Sequence, residues 1–290
     1  MMTTKTRFAR TTFLNFAICA TGFICVLLLP IQLNAQETRQ YNFCDGDNNR
    51  YSVSRRGRQL VTHSELKEKT LPSGRGVISV DGRQNGGVRV EGWDKNEVLV
   101  RACVQASADT EAQAREFAAQ LRINTGNNQI FAEGPANVEE RSWSVGYEVF
   151  VPRNASIALK THNGGIGVTN VQGHTRFEAL NGGVSLRLMG GSVRGQTTNG
   201  GLAIELDGDR WEGEGLDVHT TNGGVQMTIP ANYSARLETA TTNGSVRVDF
   251  PMTVQGRINK ELAVTLGSGG ATVRAVTTNG GVRVMHKGTE

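Results

Sequence analysis

The chain has 290 residues, with 31 Lys+Arg against 27 Asp+Glu and a formal net charge of +4. Three of the basic residues, Lys5, Arg7 and Arg10, lie in the first 35 positions, which hold no acidic residue; the remainder carries 28 basic and 27 acidic residues, or +1. No run of Lys/Arg is left there to form an electrostatic footprint for nucleic acid, so nucleic acid is not an expected partner.

Residues 1–35 have the layout of a secretory signal peptide. A positive start is followed by an apolar run from Phe13 to Leu33, centred on Leu27, Leu28 and Leu29, and by the small Ala35 before Gln36. Cleavage is expected at that point. The alternative is an uncleaved anchor, because the run approaches the length of a membrane span, and this segment is then the only expected membrane contact. Export to the periplasm, the cell surface or the medium follows as an expectation. Cys44 and Cys103 are the two cysteines outside this segment. In an oxidising compartment a disulfide between them is expected, with two separate buried thiols as the alternative.

Residues 36–72 read as an irregular, polar N-terminal segment. Residues 73–150 read as a β-rich subdomain, since Val77, Ile78, Val80, Val88, Val90, Val98 and Val100 follow a period of two. DTEAQAREFAAQL, spanning 109–121, is the one clear helix. Asp109 is suited to cap it, and Ala114, Phe117, Ala118 and Leu121 share one face. Its expected role is to cover an end of the sheets and shield open strand edges. Trp143, Val145 and Tyr147 mark a further strand. A boundary is expected near residue 150, where Val151-Pro152 ends a strand-like run.

From residue 151 to 290 one phrase recurs. TTNGGLAI, TTNGGVQM, TTNGSVRV and TTNGGVRV start at Thr197, Thr220, Thr241 and Thr277, and looser copies surround Asn163, Asn181 and, further upstream, Asn85. Apolar or β-branched residues alternate on both sides of each Asn-Gly, as in half-buried strands. Asn and Gly tolerate φ > 0, so the pair reads as a tight corner. The structural corners are therefore Asn85, Asn163, Asn181, Asn199, Asn222, Asn243 and Asn279. From Asn163 onward the steps between them are 18, 18, 23, 21 and 36 residues. Periods near twenty predict an all-β solenoid of short stacked strands with Asn-Gly corners, plus the one helix; an array of β-hairpins is the alternative. The step of 36 is expected to hide a degenerate coil around LGSGGATV, from Leu266. Glycine, 36 of 290 residues against a usual ~7%, sits at fixed places in the repeat and not in low-complexity tracts.

Chemistry is sparse. No HExxH, paired CxxC or Walker loop occurs, and no metal or cofactor is expected. Asp45-Gly46-Asp47-Asn48-Asn49 opens like a calcium loop, but Arg50 and Arg56 stand where Gly and a bidentate Glu are needed. Ser64-Glu65-Leu66-Lys67 matches SxxK without its partner motifs. Gly267-Ser268-Gly269-Gly270 lacks the third glycine of a dinucleotide fingerprint and reads as a turn. The five histidines are scattered. The slot after each Asn-Gly-Gly-apolar run holds Arg89, Gly167, Ser185, Ala203, Gln226, Arg247 or Arg283, none of them acidic. The richest cluster is ELDGDRWEGEGLD, from Glu205 to Asp217, which lengthens one coil. Extra length in a coil emerges as a loop, often on a binding face. The candidate ligand site is therefore Asp207, Asp209, Trp211, Glu212 and Glu214, in which the indole would stack on a sugar and the carboxylates would take its hydroxyls. The alternative is a charged loop whose Trp covers the core.

These repeats, the signal segment and the closing TTNGGVRV resemble the bacterial exported β-repeat domain called "putative adhesin" or toastrack, a family of unknown function. The resemblance covers at least residues 151–290 and extends upstream to Asn85. It implies a right-handed β-solenoid and no enzymatic activity or catalytic residues. A non-enzymatic cell-envelope protein whose repeat surface serves binding, adhesion or scaffolding, with a glycan or protein partner, is the resulting expectation. A carbohydrate-active enzyme on a β-helix and an envelope-stress sensing domain acting through a protein partner are the alternatives.

Overall fold

The structure is a computed structural model in which residues 44, 51–53, 59–249 and 260–287 are described. The signal segment and the Asp45–Asn49 stretch lie outside them. The first nine elements are β1 (Tyr51–Val53), β2 (Gln59–Pro72), β3 (Val77–Asp81), β4 (Val88–Trp93), β5 (Glu97–Ala108), α1 (Glu111–Ala119), β6 (Arg122–Asn124), β7 (Gln129–Glu133) and β8 (Ser142–Pro152). The repeats follow as pairs: β9 (Ser156–Thr161) with β10 (Ile166–Thr169), β11 (His174–Ala179) with β12 (Val184–Arg187), and β13 (Ser192–Asn199) with β14 (Leu202–Glu205). Then come β15 (Gly215–Asn222) with β16 (Val225–Ile229), β17 (Ala235–Asn243) with β18 (Val246–Val248), β19 (Glu261–Leu266), and β20 (Thr272–Asn279) with β21 (Val282–His286).

The two strands of each pair never bond to each other. β10, β12, β14, β16, β21 and β18 lie side by side in one sheet; β9, β11, β13, β15, β20 and β17 lie in a second. All neighbours in these two runs are parallel and in register. In a hairpin Val218 would face Met227. Instead Val218 registers with Gly195 and Ala275, and Met227 with Ile204 and Val284. The fold is a β-solenoid, and the hairpin alternative is excluded. The core lies between the sheets, where the inward residue of each strand is withdrawn from water: Val193, Leu202, Leu216, Val218, Val225 and Met227 are all at most 2 % exposed. A single coil cannot bury its apolar face; stacking does it for all of them.

The corner works differently from the sequence expectation. No Asn or Gly of the repeated motif is among the residues with positive φ. Glycine is required there because the coils touch. A Cβ on Gly164, Gly182, Gly200, Gly223, Gly280 or Gly244 would lie 2.0–2.3 Å from the carbonyl oxygen of the preceding coil's equivalent glycine. Beside this seam runs a ladder in the order Asn85, Asn163, Asn181, Asn199, Asn222, Asn279, Asn243, in which the Nδ2 of each Asn after the first donates to the Oδ1 of the one before it at 2.7–3.0 Å. The leading Thr of the motif is buried, and its hydroxyl donates to a seam carbonyl: Thr197 to Gly182, Thr220 to Gly200, Thr277 to Gly223 and Thr241 to Gly280. Asn199→Ala removes two rungs of the ladder and Asn85→Ala only one. We expect losses of about 1 kcal/mol and about half that, read from urea midpoints at unchanged m-value.

Three further expectations are corrected. Among the described residues of the 36-residue step, the stretch from Leu266 forms no degenerate coil. After β18 the chain returns as β19, antiparallel to β17 on its outer side, turns at Gly267, Gly269 and Gly270 (all with positive φ), and inserts β20 between β15 and β17. The last repeat in sequence is thus the last but one in space. Second, residues 59–72, expected to be irregular, form β2, which pairs with β5 from Val61 to Pro72. Its periodicity is faint because only Leu60 is fully buried on it. Third, no structural break falls near residue 150. β8 runs through that point and is flanked by β5 and β4, while β4 in turn pairs with β10, so the upstream strands and the repeats form continuous sheets over one core. The helix is capped by Thr110, whose hydroxyl accepts from Gln113 N, and not by Asp109. It packs on β2 and β5, towards that end of the first sheet. Cys44 and Cys103 are disulfide-bonded, with Cα atoms 5.2 Å apart, which ties residue 44 to β5. No helix among the described residues is long and apolar enough to cross a membrane.

Candidate functional site

The loop between β14 and β15 does not hold a sugar platform. Trp211 is 4 % exposed, and its Nε1 donates to the Gly191 carbonyl at 3.0 Å. Gly191 N donates to Glu212 O at 2.6 Å, and Gly215 N donates to Gly191 O at 3.1 Å, so the loop is stapled to the adjacent coil on both sides of the indole. The indole completes the core, as in the reading of a charged loop whose Trp covers it, and does not stack on a ligand. The carboxylates around it are exposed or half-buried and are shared between two cations. Arg210 pairs with Asp209 and Glu212 at 3.2 and 3.7 Å, and Lys287 reaches Glu205 and Asp207 at 3.1 and 3.4 Å. The hydrogen bond from Arg210 holds the Asp209 carboxyl below its usual range, the wrong direction for a general acid at neutral pH. Burial, aided by Glu212, Asp207 and Asp209, pushes the Tyr233 phenol well above its ordinary value, so it stays neutral. Glu214 stands apart from the others, beside His174, Arg176 and Arg194.

Other sequence candidates have structural roles. Lys67 of the SxxK match donates to Leu121 O at 3.1 Å and pairs with Glu65 at 2.9 Å. Arg101 joins Glu68, at 2.7 Å, and Glu148 across the first sheet; burial works against its charge, but its bonds to the two carboxylates prevail and raise its pKa. Among the described residues no three His, Cys, Asp or Glu side chains gather as a metal site.

What stacking does create is a depression of about 850 Å³ on the outer face of the first sheet. Its floor is the second glycine of the motif, repeated as Gly165, Gly183, Gly201 and Gly224, beside the outward Gly167, Ser185 and Ala203. These are the slots after Asn-Gly-Gly-apolar, and register aligns them in the order Arg89, Gly167, Ser185, Ala203, Gln226, Arg283, Arg247. Small residues occupy the middle coils and long ones the ends, which closes the depression lengthwise. Arg187 pairs with Glu205 at 3.0 Å along one side. At the ends Arg89 pairs with Glu148 at 3.7 Å and Arg283 with Asp249 at 2.6 Å, so the charges there are already met. The asparagine ladder follows the corner two residues from the glycine row. Each rung spends one N–H and one lone pair on its neighbours, which leaves one of each free. The slot was visible in the sequence as a variable position; its size gradient emerges only once the coils are ordered in space.

The family described as Toastrack DUF4097 matches residues 152–285. No curated protein matches the chain. Several solved structures are similar to it, among them these three. A "putative cell adhesion protein" from Clostridium sporogenes is 10% identical, with 78% of this chain and 100% of that one covered and a TM-score of 0.40. A "putative lipid binding protein" from Parabacteroides distasonis is 8% identical, with 77% and 96% covered and a TM-score of 0.35. A "putative adhesin" from Bacteroides fragilis is 12% identical, with 77% and 97% covered and a TM-score of 0.29. Likenesses this loose carry no functional reading.

Proposed function

We infer that the protein, whose residues 152–285 match the family described as Toastrack DUF4097, is an exported, non-enzymatic component of the cell envelope whose rigid repeat surface binds an extended neutral glycan. The observation that carries this reading is the glycine-floored depression on the first sheet, which crosses successive coils without a free charge in it. Main-chain groups, Ser185, Gln226 and the asparagine rungs are neutral donors and acceptors suited to sugar hydroxyls, and the flat floor of small residues accepts the apolar face of a ring. The parallel ladders fix this surface before any ligand arrives, which lowers the ordering cost of binding. Export rests on the layout of residues 1–35.

The test is retention of the purified protein on peptidoglycan and neutral envelope polysaccharides, beside an Ala203→Trp variant. Ala203 faces outward from the middle of the depression, so the indole fills the site without entering the core. We expect saturable retention that falls more than about tenfold in the variant at an unchanged melting temperature, since blocking a buried contact patch removes more than ~1.4 kcal/mol. Retention unaffected by the indole would remove the depression from the binding site. Retention on protein partners alone would replace the glycan by a protein.

A further inference from the structure

The opposite face of the solenoid carries an arrangement that stability alone disfavours. Arg176 on β11 and Arg194 on β13 are exposed and occupy the same register position of adjacent parallel strands. Their Cα atoms are therefore separated by about 4.8 Å, the spacing of neighbouring strands. Like charges directly opposite one another in a sheet are destabilising. Elsewhere from β9 to β20 the arginines and the lysine of this face have found carboxylates: Lys160 with Glu178 at 4.0 Å, Arg274 with Asp217 at 2.8 Å and Arg236 with Glu238 at 2.7 Å. Asp217, the register neighbour of Arg194, is taken by Arg274. Glu214 lines the same hollow as the two arginines but forms no ion pair with either. The two guanidiniums stand at the centre of a second trough, of about 760 Å³, whose lining runs from Ala158 and Lys160 through Gln196 to His219 and Arg274.

We propose that Arg176 and Arg194 form an anion subsite for an acidic polysaccharide laid along this trough. Two adjacent guanidiniums can offer paired N–H donors to a carboxylate, and a bidentate fork is the geometry in which arginine binds such groups most strongly. An anion between them also relieves their mutual repulsion, so binding gains twice. The trough crosses five strands, or about 19 Å, longer than a single small anion can fill, and this favours a chain over a free ion. The site is on the other sheet from the glycine-floored depression and stands or falls independently of it.

The experiment is retention of the purified protein on immobilised polygalacturonate, on its methyl-esterified neutral counterpart, and in competition with galacturonate monomer and inorganic phosphate. The variants are Arg176→Gln/Arg194→Gln and Glu214→Gln. We expect the double variant to lose at least about tenfold in retention on the acidic polymer, because charge-assisted hydrogen bonds are lost. Its melting temperature should be equal or higher, because a like-charge contact is removed. Glu214→Gln should strengthen retention, since it removes a negative charge from the hollow. Equal retention of wild type and double variant, equal retention on the esterified polymer, or full displacement by monomer or phosphate at the same carboxylate or phosphate concentration would each overturn the proposal. A loss of retention accompanied by a fall in melting temperature would also count against it, because the arginines would then be supporting the fold.

Discussion

Trp211→Ala is expected to cost about 4 kcal/mol of stability, the range for truncating a large buried aromatic side chain. The indole is 4 % exposed and its N–H is the partner of the Gly191 carbonyl, so the substitution opens a cavity and orphans an acceptor together. Against a typical total of 5–15 kcal/mol, that is a large share. Trp211→Phe keeps most of the apolar area and loses chiefly the hydrogen bond, for which about 1–2 kcal/mol is expected. Chemical unfolding of the two variants, with retention on glycans measured on the fraction still folded, checks the assignment. A Trp211→Ala protein of full stability that has lost a ligand would return the indole to a binding role.

Gly200→Ala should cost more than about 3 kcal/mol, beyond the usual penalty for an added methyl group in a packed interior. The new Cβ would sit 2.1 Å from the Gly182 carbonyl oxygen and 2.4 Å from its carbon, both of them backbone. No rotamer change relieves such a clash; two hydrogen-bonded coils must separate. Gly201→Ala, one residue on, meets the Gly224 oxygen at 3.3 Å, and a few tenths of an ångström suffices there. We expect it to cost less than about 1 kcal/mol. The chain supports the contrast itself, since the second glycine is replaced by Ser245 in the Thr241 copy while the first, Gly244, is kept. A thermal or urea series on the pair, showing equal losses at both positions, would contradict the seam as the reason for the glycine.

The alternation of apolar residues and the repeated corner were legible because they are local. Leu202-Ala203-Ile204 and Val225-Gln226-Met227 state which residues face the core without reference to any neighbour. β2 was not legible. Antiparallel pairing with β5 holds it in place through the backbone, and the amphipathic Lys67 and Glu65 on it hide its period. The loop from Glu205 to Asp217 left two readings open for a related reason. An acidic stretch with one Trp looks the same whether the indole faces water or core, and the deciding acceptor, Gly191, is 20 residues away. Arg176 and Arg194 are unremarkable in sequence. Only a pitch of 18 residues, set by the hydrogen-bonded stacking of whole coils, brings them side by side.

By itself, the sequence determined the in-and-out pattern of each strand and the all-β class, because these depend on side-chain period, and the position of each corner, because the same Asn-Gly phrase marks it in every coil. The tertiary structure alone decided which coil lies next to which. The Thr220, Thr241 and Thr277 motifs are nearly interchangeable locally, so each could pair with either of the others. The insertion of β20 between β15 and β17 is settled by the antiparallel β19, which covers the outer edge of β17, and by the glycine turn that follows it. Everything that depends on that order is likewise a property of the stack: the sequence of asparagine rungs, the gradient of side-chain size along the depression and the two facing arginines. None of it is a property of any single repeat.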